Sequence, residues 1–432
     1  MPSSVKKDIL SNGLKVFLKE IHTAPIISHW LWYRVGSRNE LAGKSGISHW
    51  VEHMQFKGTP QFPSGELDKV ISREGGVWNA FTHLDWTTYY ETLPADKIDI
   101  ALRLEADRMQ NSVFDPEEVE SERTVIISER QGNENEPLFR LGEAIQKAAF
   151  DSHPYGHEVI GDLEDLYRIQ REDLANHYHS HYAPGNAVLC IAGDFESGIM
   201  MDKIRSYYSS IPERRNNSSE IKPEKRLQEE RRVVVNGPGE TAFLQVSFHA
   251  PKGSSREFFA LNLLDSLLTG PSGLSMFGGG ISNKTSRLYR RLVEGELAVS
   301  VSGNLQATID PFIYEIMVIL RPEIKHEKVL QVIDEEIARL YNEKINAKEV
   351  RRAVKQARAL FAYGSESISN QAFWLGFSEM FASYEWFTSY VEQLDLITED
   401  DLMVAARTIL APDSRVVGFY YPDGQIHMDG VQ

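Results

Sequence analysis

The chain of 432 residues has a single cysteine, Cys190, which lies in the apolar run AVLCIAG. A disulfide within the chain is therefore excluded, and so is a metal site built from several thiolates. A cysteine inside such a run behaves as a small hydrophobic residue, so we expect Cys190 to be buried and not to act as a nucleophile.

Basic residues and long apolar runs are also scarce. The 46 Lys and Arg are outnumbered by 62 Asp and Glu, which gives a formal net charge of −16. This balance disfavours nucleic acid as a partner, because binding to it depends on Lys and Arg that displace the counterions of the phosphates. No apolar run reaches the roughly 18 residues that a transmembrane helix needs, so no membrane span is expected.

The remaining composition is that of a globular protein, with 42% hydrophobic and 25% charged residues. The polar, proline-containing stretch 213–230 has the composition of a linker. The order of strands and helices predicted before this stretch is similar to the order predicted after it. The sequence therefore predicts two homologous α+β domains, residues 1–212 and residues 231–432, each with an antiparallel-rich sheet flanked by helices.

Several elements can be predicted individually. An Asn-Gly pair between two alternating segments predicts a hairpin over residues 5–20. The aromatic and β-branched residues of 77–93 predict one strand. Asp115 followed by Pro116 predicts a well-capped helix start, and a long helix is predicted over residues 369–393.

The stretch HWVEH, which begins at residue 49, carries a possible metal-binding motif. At about 100° per residue, His49 and His53 lie on one face of a helix, and Glu52 lies beside them. Two imidazoles at this spacing can ligate one ion while the carboxylate holds a water, and H-x-x-E-H is the reversed order of the familiar HExxH motif. The simpler alternative is two histidines that share a helix face without a metal.

A third ligand can come from the helix that is predicted to begin at Pro116. Glu122 and Glu129 are seven residues apart, so they project from one face of that helix. Either could complete a site of two His and one Glu, with the fourth position left to water. A solvated acidic face is the competing interpretation, because further glutamates share the helix. Spacing alone does not choose between Glu122 and Glu129.

These stretches together resemble the inverted zinc-motif peptidases of the pitrilysin type, peptidase family M16, which include the mitochondrial processing peptidase and small bacterial relatives of it. The resemblance extends in family order over nearly the whole chain, through GSRNELAGKSGISHWVEHMQFKGT, GGVWNAFTHLDWTTYYE, HPYGHEVIG, YAPGNAVLCIAGDF and SRLYRRLVEGELAVSVSG. It implies one Zn²⁺ per chain held by His49, His53 and Glu129, with Glu52 as general base and Glu122 as a carboxylate that orients a ligand. It also implies a LuxS/MPP-like fold in which the two domains form half of a clamshell chamber.

The resemblance further identifies VWNAFTH, residues 77–83, as an edge strand to which an extended peptide substrate adds through backbone hydrogen bonds. Asn79 and Ala80 would then lie next to the scissile bond, and Phe81 would also bind the substrate. The alternative is an ordinary strand with Trp78 in a core.

The second half has no H-x-x-E-H and departs from the family in a further way. Active members often supply an Arg and, seven residues later, a Tyr that stabilise the oxyanion. In this chain Val293 stands where the Arg is expected and Val299 near the expected Tyr, and Arg290 and Arg291 are one helical register away. We therefore expect a heterodimer in which this chain carries zinc and a noncatalytic M16 subunit carries Arg and Tyr, with a homodimer as the alternative assembly.

The leading expectation is a zinc metalloendopeptidase that hydrolyses peptides or unfolded segments. The alternatives are a dedicated processing peptidase for one precursor peptide, a noncatalytic M16-type assembly subunit, and a zinc hydrolase with a non-peptide substrate. The glycine-rich stretch 269–285 lacks the spacing of a phosphate-binding loop, so nucleotide binding is not expected. No signal peptide is visible, so a cytoplasmic bacterial location is expected, or a periplasmic one if a signal peptide has been removed.

Overall fold

A computed structural model describes residues 5–214, 221–274 and 282–423 of the chain. The chain divides into two compact units that are not continuous in sequence. The first unit combines the chain up to Arg130 with His157–Ile221 and Ser365–Phe387, and the second combines Gln131–Gly156 and Lys222–Gly364 with the chain from Thr388 onwards. This differs from the continuous domains 1–212 and 231–432 that the sequence predicts, because each unit includes a short segment from the other half of the chain.

The strands of the described residues are β1 (Lys6–Ile9), β2 (Lys15–Glu20), β3 (Ile26–Tyr33), β4 (Val77–Thr82), β5 (Thr87–Pro94), β6 (Ala187–Gly193), β7 (Arg231–Gly237), β8 (Phe243–His249), β9 (Ala298–Leu305), β10 (Ile313–Leu320) and β11 (Arg415–Pro422). The predicted hairpin at the start of the chain is confirmed, since β1 and β2 pair in antiparallel register.

The helices are α1 (Ile47–Met54), α2 (Leu67–Arg73), α3 (Ile98–Asn111), α4 (Pro116–Asn133), α5 (Pro137–Ala149), α6 (Leu163–Arg168), α7 (Arg171–His181), α8 (Ser197–Tyr208), α9 (Arg256–Leu268), α10 (His326–Asn342), α11 (Ala347–Tyr363), α12 (Ile368–Phe381), α13 (Tyr384–Asp395) and α14 (Glu399–Ile409). The predicted cap of α4 is confirmed, because the Asp115 carboxylate accepts hydrogen bonds from the backbone N–H groups of Glu117 and Glu118. Among the described helices, none combines the length and hydrophobicity that crossing a bilayer requires.

Each unit is built on one mixed sheet, and the second sheet repeats the topology of the first. The first sheet has the order β1-β2-β6-β3-β5-β4, and the second has the order β7-β11-β8-β10-β9. In both sheets one parallel pair, β2 with β6 and β7 with β11, joins an otherwise antiparallel arrangement. The last five strands of the first sheet thus match the five strands of the second in order and direction, which confirms two homologous α+β domains.

Helix α12 completes the core of the first unit. The indoles of Trp30 and Trp32 on β3 form an aromatic face, and the ring of Phe373 on α12 lies 5.5 Å from each of them. Gly376 allows the helix to approach closely, since a Cβ at that position would lie 2.1 Å from the indole nitrogen of Trp32. An aromatic surface of this size must be buried to stabilise the fold, and a helix from the distant half of the sequence buries it.

Helix α5 has the corresponding role in the second unit, where it packs against β11. Here the glycine lies on the strand: a Cβ at Gly418 would lie 2.4 Å from the Ile145 side chain and 2.8 Å from that of Leu141. Close approach of helix and sheet therefore depends on one glycine in each unit.

Two predicted elements are each broken in the structure. The single strand predicted over residues 77–93 is a hairpin, because the chain turns at His83–Trp86, where the N–H of His83 donates to the carbonyl of Trp86 (2.8 Å). The long helix predicted over 369–393 ends at Ala382, whose φ of −146° and ψ of −105° are not helical. Parts of two further predicted segments, 215–220 of the linker and 275–281 of the glycine-rich stretch, lie outside the described residues.

Candidate metal centre and catalytic site

The first turn of α1, the helix that carries H-x-x-E-H, is fixed by a buried carboxylate. Gly46 precedes the helix with a φ of 88°, a left-handed conformation that glycine adopts without strain. The Glu40 carboxylate accepts hydrogen bonds from the backbone N–H groups of Gly46 (2.9 Å) and Ser48 (2.8 Å). The first N–H groups of a helix have no partner within it, so these bonds fix the backbone from which His49 projects, and burial raises the pKa of Glu40 to about 7.

Three potential metal ligands converge between α1 and α4. The ring centroids of His49 and His53 are 4.5 Å apart. The Glu129 carboxylate faces both rings, with one oxygen 3.9 Å from Nε2 of His49 and the other 3.8 Å from Nε2 of His53. Within the described residues these three side chains form the one group of at least three His, Cys, Asp or Glu whose ligand atoms all lie within 4.8 Å of one another.

This donor set fits zinc. Zinc binds imidazole nitrogen and carboxylate oxygen at about 2.0–2.2 Å, so ligand atoms of a tetrahedral site are about 3.3–3.6 Å apart. The observed nitrogen–oxygen distances of 3.8 and 3.9 Å are slightly longer, and a small movement of the part-exposed Glu129 side chain would close the set. Burial and the neighbouring His53 lower the pKa of His49 to about 3, so its imidazole is in the neutral form that binds metal.

The carboxylate of Glu122 orients His53. Its Oε1 lies 2.7 Å from Nδ1 of His53, which leaves Nε2 to face Glu129. Lys57 holds the other oxygen of Glu122, with Nζ at 2.5 Å. Burial alone would raise the pKa of Glu122, but the hydrogen bonds from His53 and Lys57 outweigh burial and hold this pKa below its usual value. By contrast, the buried Nδ1 of His49 has no hydrogen-bond partner among the described residues.

Replacing Glu122 by glutamine is expected to weaken zinc binding by about 10–100-fold, the typical effect of losing a carboxylate that orients a metal-binding imidazole. Competition with a chromophoric chelator would give the dissociation constants of variant and wild type. Glu118 offers a matched control, because it lies on the same helix, 3.5 Å from the Lys57 amine, but outside contact with His53. Equal losses for E122Q and E118Q would contradict the orienting role.

Glu52 lies beside the imidazole pair and is bonded to strand β4. Its Oε2 accepts a hydrogen bond of 2.6 Å from the hydroxyl of Thr82, the last residue of the strand. Burial raises the pKa of Glu52 above its usual value, and the hydrogen bond from Thr82 opposes part of that rise. A carboxylate with a raised pKa is a better proton acceptor, which suits a general base.

Arg123 docks α4 against α1 and thereby sets the distance between Glu129 and the imidazoles. Its guanidinium stacks over the buried indole of Trp50, 4.7 Å from the ring centroid, and donates to the carbonyl of Ile169 at 2.9 Å. A guanidinium over an indole face is attracted by the ring quadrupole. Trp50, the second residue of HWVEH, therefore acts in packing.

The predicted substrate residues lie on β4, at one edge of the first sheet, where the strand pairs with β5 alone among the described strands. Asn79 is exposed, and Ala80 is buried. Phe81 stacks on Tyr90 of β5 with the ring centroids 6.0 Å apart. An exposed edge of this kind is open to a further strand.

Neither of the two arginines just before Val293 stands where the family resemblance predicts an Arg. Val293 ends a π-helical turn, and Val299 on β9 is 57% exposed. Arg291 forms ion pairs of 2.7 and 2.9 Å with two glutamates of α10. Arg290 is exposed.

Sequence reasoning missed three residues that the site uses, namely Glu40, Lys57 and Thr82. Thr82 could have been found from strand alternation, since it lies two residues after Ala80 and shares its face. Lys57 lies beyond the end of α1 at Met54, so helical spacing from His53 did not place it in the site. Glu40 had no local signal, because it is bonded to the helix start across a loop.

Two family models together span most of the chain. The model described as Insulinase (Peptidase family M16) matches residues 15–163, and the model described as Peptidase M16 inactive domain matches residues 168–357. The chain belongs to peptidase family M16. The candidate metal centre lies wholly within the match to residues 15–163, and the inactive-domain match covers a stretch that has no H-x-x-E-H.

Similar M16 proteins match nearly end to end. Zinc protease PqqE of Helicobacter pylori is 29% identical over 413 residues, 92% of this chain and 88% of the relative. An uncharacterized zinc protease of Mycobacterium leprae is 27% identical over 412 residues, 94% of this chain and 90% of the relative. A solved protease from Helicobacter pylori has a TM-score of 0.89 at 27% identity and covers 98% of this chain and 100% of its own. The names of these relatives support a metallopeptidase and zinc as its metal.

A further solved structure has the same fold in a longer chain. The periplasmic protease PqqL from Escherichia coli matches with a TM-score of 0.78 at 18% identity. The match covers 98% of this M16 chain but 48% of PqqL. The fold of this chain therefore accounts for about half of that longer molecule.

Proposed function

We propose that this chain is a zinc-dependent endopeptidase that hydrolyses peptides or unfolded segments. One observation carries the proposal: the ligand atoms of two imidazoles and a carboxylate lie within 4.8 Å of one another, and the buried carboxylate of Glu52 lies beside them. His49, His53 and Glu129 would hold one zinc ion per chain, and Glu52 would act as general base.

In this proposal, each residue of the site has a separate role in hydrolysis. Bound zinc would supply Lewis acidity, which polarises a carbonyl and makes water nucleophilic near neutral pH. Glu52 accepts a proton from the attacking water and later delivers it to the leaving amine. Glu122 keeps Nε2 of His53 turned towards the ligand set. This route needs no covalent intermediate, in keeping with the buried position of Cys190, which is 0% exposed.

The substrate would add to strand β4 as an extended chain. Backbone hydrogen bonds to an edge strand provide affinity with little dependence on sequence, which favours peptides and unfolded segments over one folded target. Asn79 and Ala80 would border the scissile bond, and Phe81 would bind the substrate beside them. Their strand ends at Thr82, which is bonded to the proposed base.

A partner subunit would supply the groups that stabilise the oxyanion. Val293 stands where the family resemblance leads us to expect an Arg, and Val299 stands near the expected Tyr. An aliphatic side chain cannot donate a hydrogen bond to a developing charge. The doubled length of PqqL relative to this fold is compatible with pairing of two such chains. A noncatalytic M16 subunit with Arg and Tyr is the partner we propose, with a second copy of this chain as the alternative.

The purified zinc-loaded chain is expected to cleave unstructured quenched-fluorescence peptides slowly by itself, and about 100-fold or more faster with its partner, the typical effect of a missing oxyanion donor. Elemental analysis should find one zinc per chain, and a chelator should abolish cleavage. Full activity without a partner would refute the shared site. Zinc-loaded protein that cleaves no peptide under either condition would refute the peptidase itself.

A further inference from the structure

Thr82 is bonded to the proposed general base and belongs to the proposed substrate strand. Its hydroxyl donates to Oε2 of Glu52 over 2.6 Å. A hydroxyl has one proton to give, so Thr82 bonds Oε2 alone and leaves both lone pairs of Oε1 available to a water. The bond also restrains the rotation of the Glu52 side chain, because it holds one carboxylate oxygen against the end of β4.

The end of β4 at Thr82 is held firmly. The following turn, His83–Trp86, is joined to the loop after β3, because the N–H of Ser37 donates to His83 (3.2 Å) and the N–H of Arg38 donates to Leu84 (2.8 Å). Gly36 makes this contact possible, since a Cβ there would lie 2.1 Å from the carbonyl oxygen of His83. The backbone that carries Thr82 is therefore fixed from outside the strand.

The opposite end of β4, at Val77, is exposed to solvent. The neighbouring Trp78 forms a second contact between the strand and the residues that follow α1. Val77, at the start of the strand, is 61% exposed. Next to it, the ring of Trp78 lies 4.8 Å from that of Phe56, just beyond the end of α1. Near its start, strand β4 thus contacts Phe56, three residues after His53. At its end, the strand contacts the side chain of Glu52.

We propose that Thr82 is a positioning residue: its hydroxyl holds Glu52 in the orientation of a general base and links that orientation to the strand that receives the peptide. The inference rests on the proposed roles of Glu52 and β4. A hydrogen bond to a charged group is worth more than one between neutral groups, and small misplacements of a catalytic group reduce rates strongly.

Kinetics test the catalytic part. Thr82→Val, which removes the hydroxyl at nearly constant volume, is expected to lower kcat about tenfold while KM changes less than about twofold. Zinc content should remain that of wild type, and Thr82→Ser should restore most of kcat. Thr88→Val is the matched control, because the Thr88 hydroxyl donates to the carbonyl of Leu31 (3.1 Å), away from Glu52. An unchanged kcat in T82V, or an equal loss in T88V, would overturn the proposal.

Metal-free protein provides a readout that does not depend on activity. T82V is expected to lower the thermal unfolding midpoint of the apoprotein by about 2–4 °C. The same change in a Glu52→Ala background should lower it by much less, because the accepting carboxylate is already gone. Equal shifts in both backgrounds would show that Thr82 and Glu52 are not coupled. Suppose that E52A retained full activity while T82V lowered the unfolding midpoint only in the presence of Glu52. The proposed role of Glu52 as general base would then be refuted, but the contact between Thr82 and Glu52 would be supported.

Discussion

Glu52→Gln is expected to reduce kcat by about 10³-fold without loss of zinc. Glutamine has the same shape and still offers an oxygen to the Thr82 hydroxyl, but it cannot accept the proton of the attacking water. General acid–base catalysis typically contributes about 10²–10⁴-fold. Steady-state cleavage of a quenched peptide, together with the zinc content of the same preparation, would measure both quantities.

The control for this substitution is Glu117→Gln, an exposed carboxylate in the first turn of α4. It makes the same change of charge and should leave kcat within about twofold, as expected for an exposed surface group. If E52Q kept wild-type kcat, water activation would have to be assigned elsewhere. If E52Q lost its zinc, the loss of activity would reflect the metal and not the base.

Glu129→Gln is expected to weaken zinc binding by about three orders of magnitude and to abolish cleavage at ordinary zinc concentrations. The Glu129 carboxylate is the one proposed ligand that comes from outside α1. Apparent free energies of zinc binding in closed protein sites are roughly 10–16 kcal/mol, and because few ligands share this energy, the loss of one ligand weakens binding strongly. Chelator competition would measure the affinity, and circular dichroism would establish that the fold persists.

The comparison of E129Q with E122Q is the most direct test of the arrangement. Glu129 faces both imidazoles, whereas Glu122 is bonded to the far side of one of them. Loss of a ligand should therefore exceed loss of an orienting group by at least about tenfold. The reverse order of the two variants would exchange the roles that we propose for these carboxylates.

The candidate metal centre could be predicted in part because helix geometry is local. Spacing alone placed His49 and His53 on one face of α1, and it placed Glu122 and Glu129 together on α4. It could not choose between the two glutamates, since that choice depends on how α4 docks against α1 through Arg123 and Trp50.

The parts of the fold that escaped prediction depend on contacts distant in sequence. The aromatic run over residues 77–93 has strand composition throughout, and its turn at His83–Trp86 is stabilised by backbone bonds to the loop around Gly36. The same contact places Thr82 against Glu52. Likewise, the apolar sequence of α12 predicts a buried helix but does not say which sheet it covers.

The position of α12 also has a consequence for biosynthesis. The helix that covers Trp30 and Trp32 ends at Phe381 in a chain of 432 residues. A ribosome adds residues one at a time from the N-terminus, and domains usually fold as they emerge. Here the half that carries H-x-x-E-H must wait, with its indoles uncovered, until α12 has been synthesised, and it is during this interval that nascent chains would need protection from aggregation.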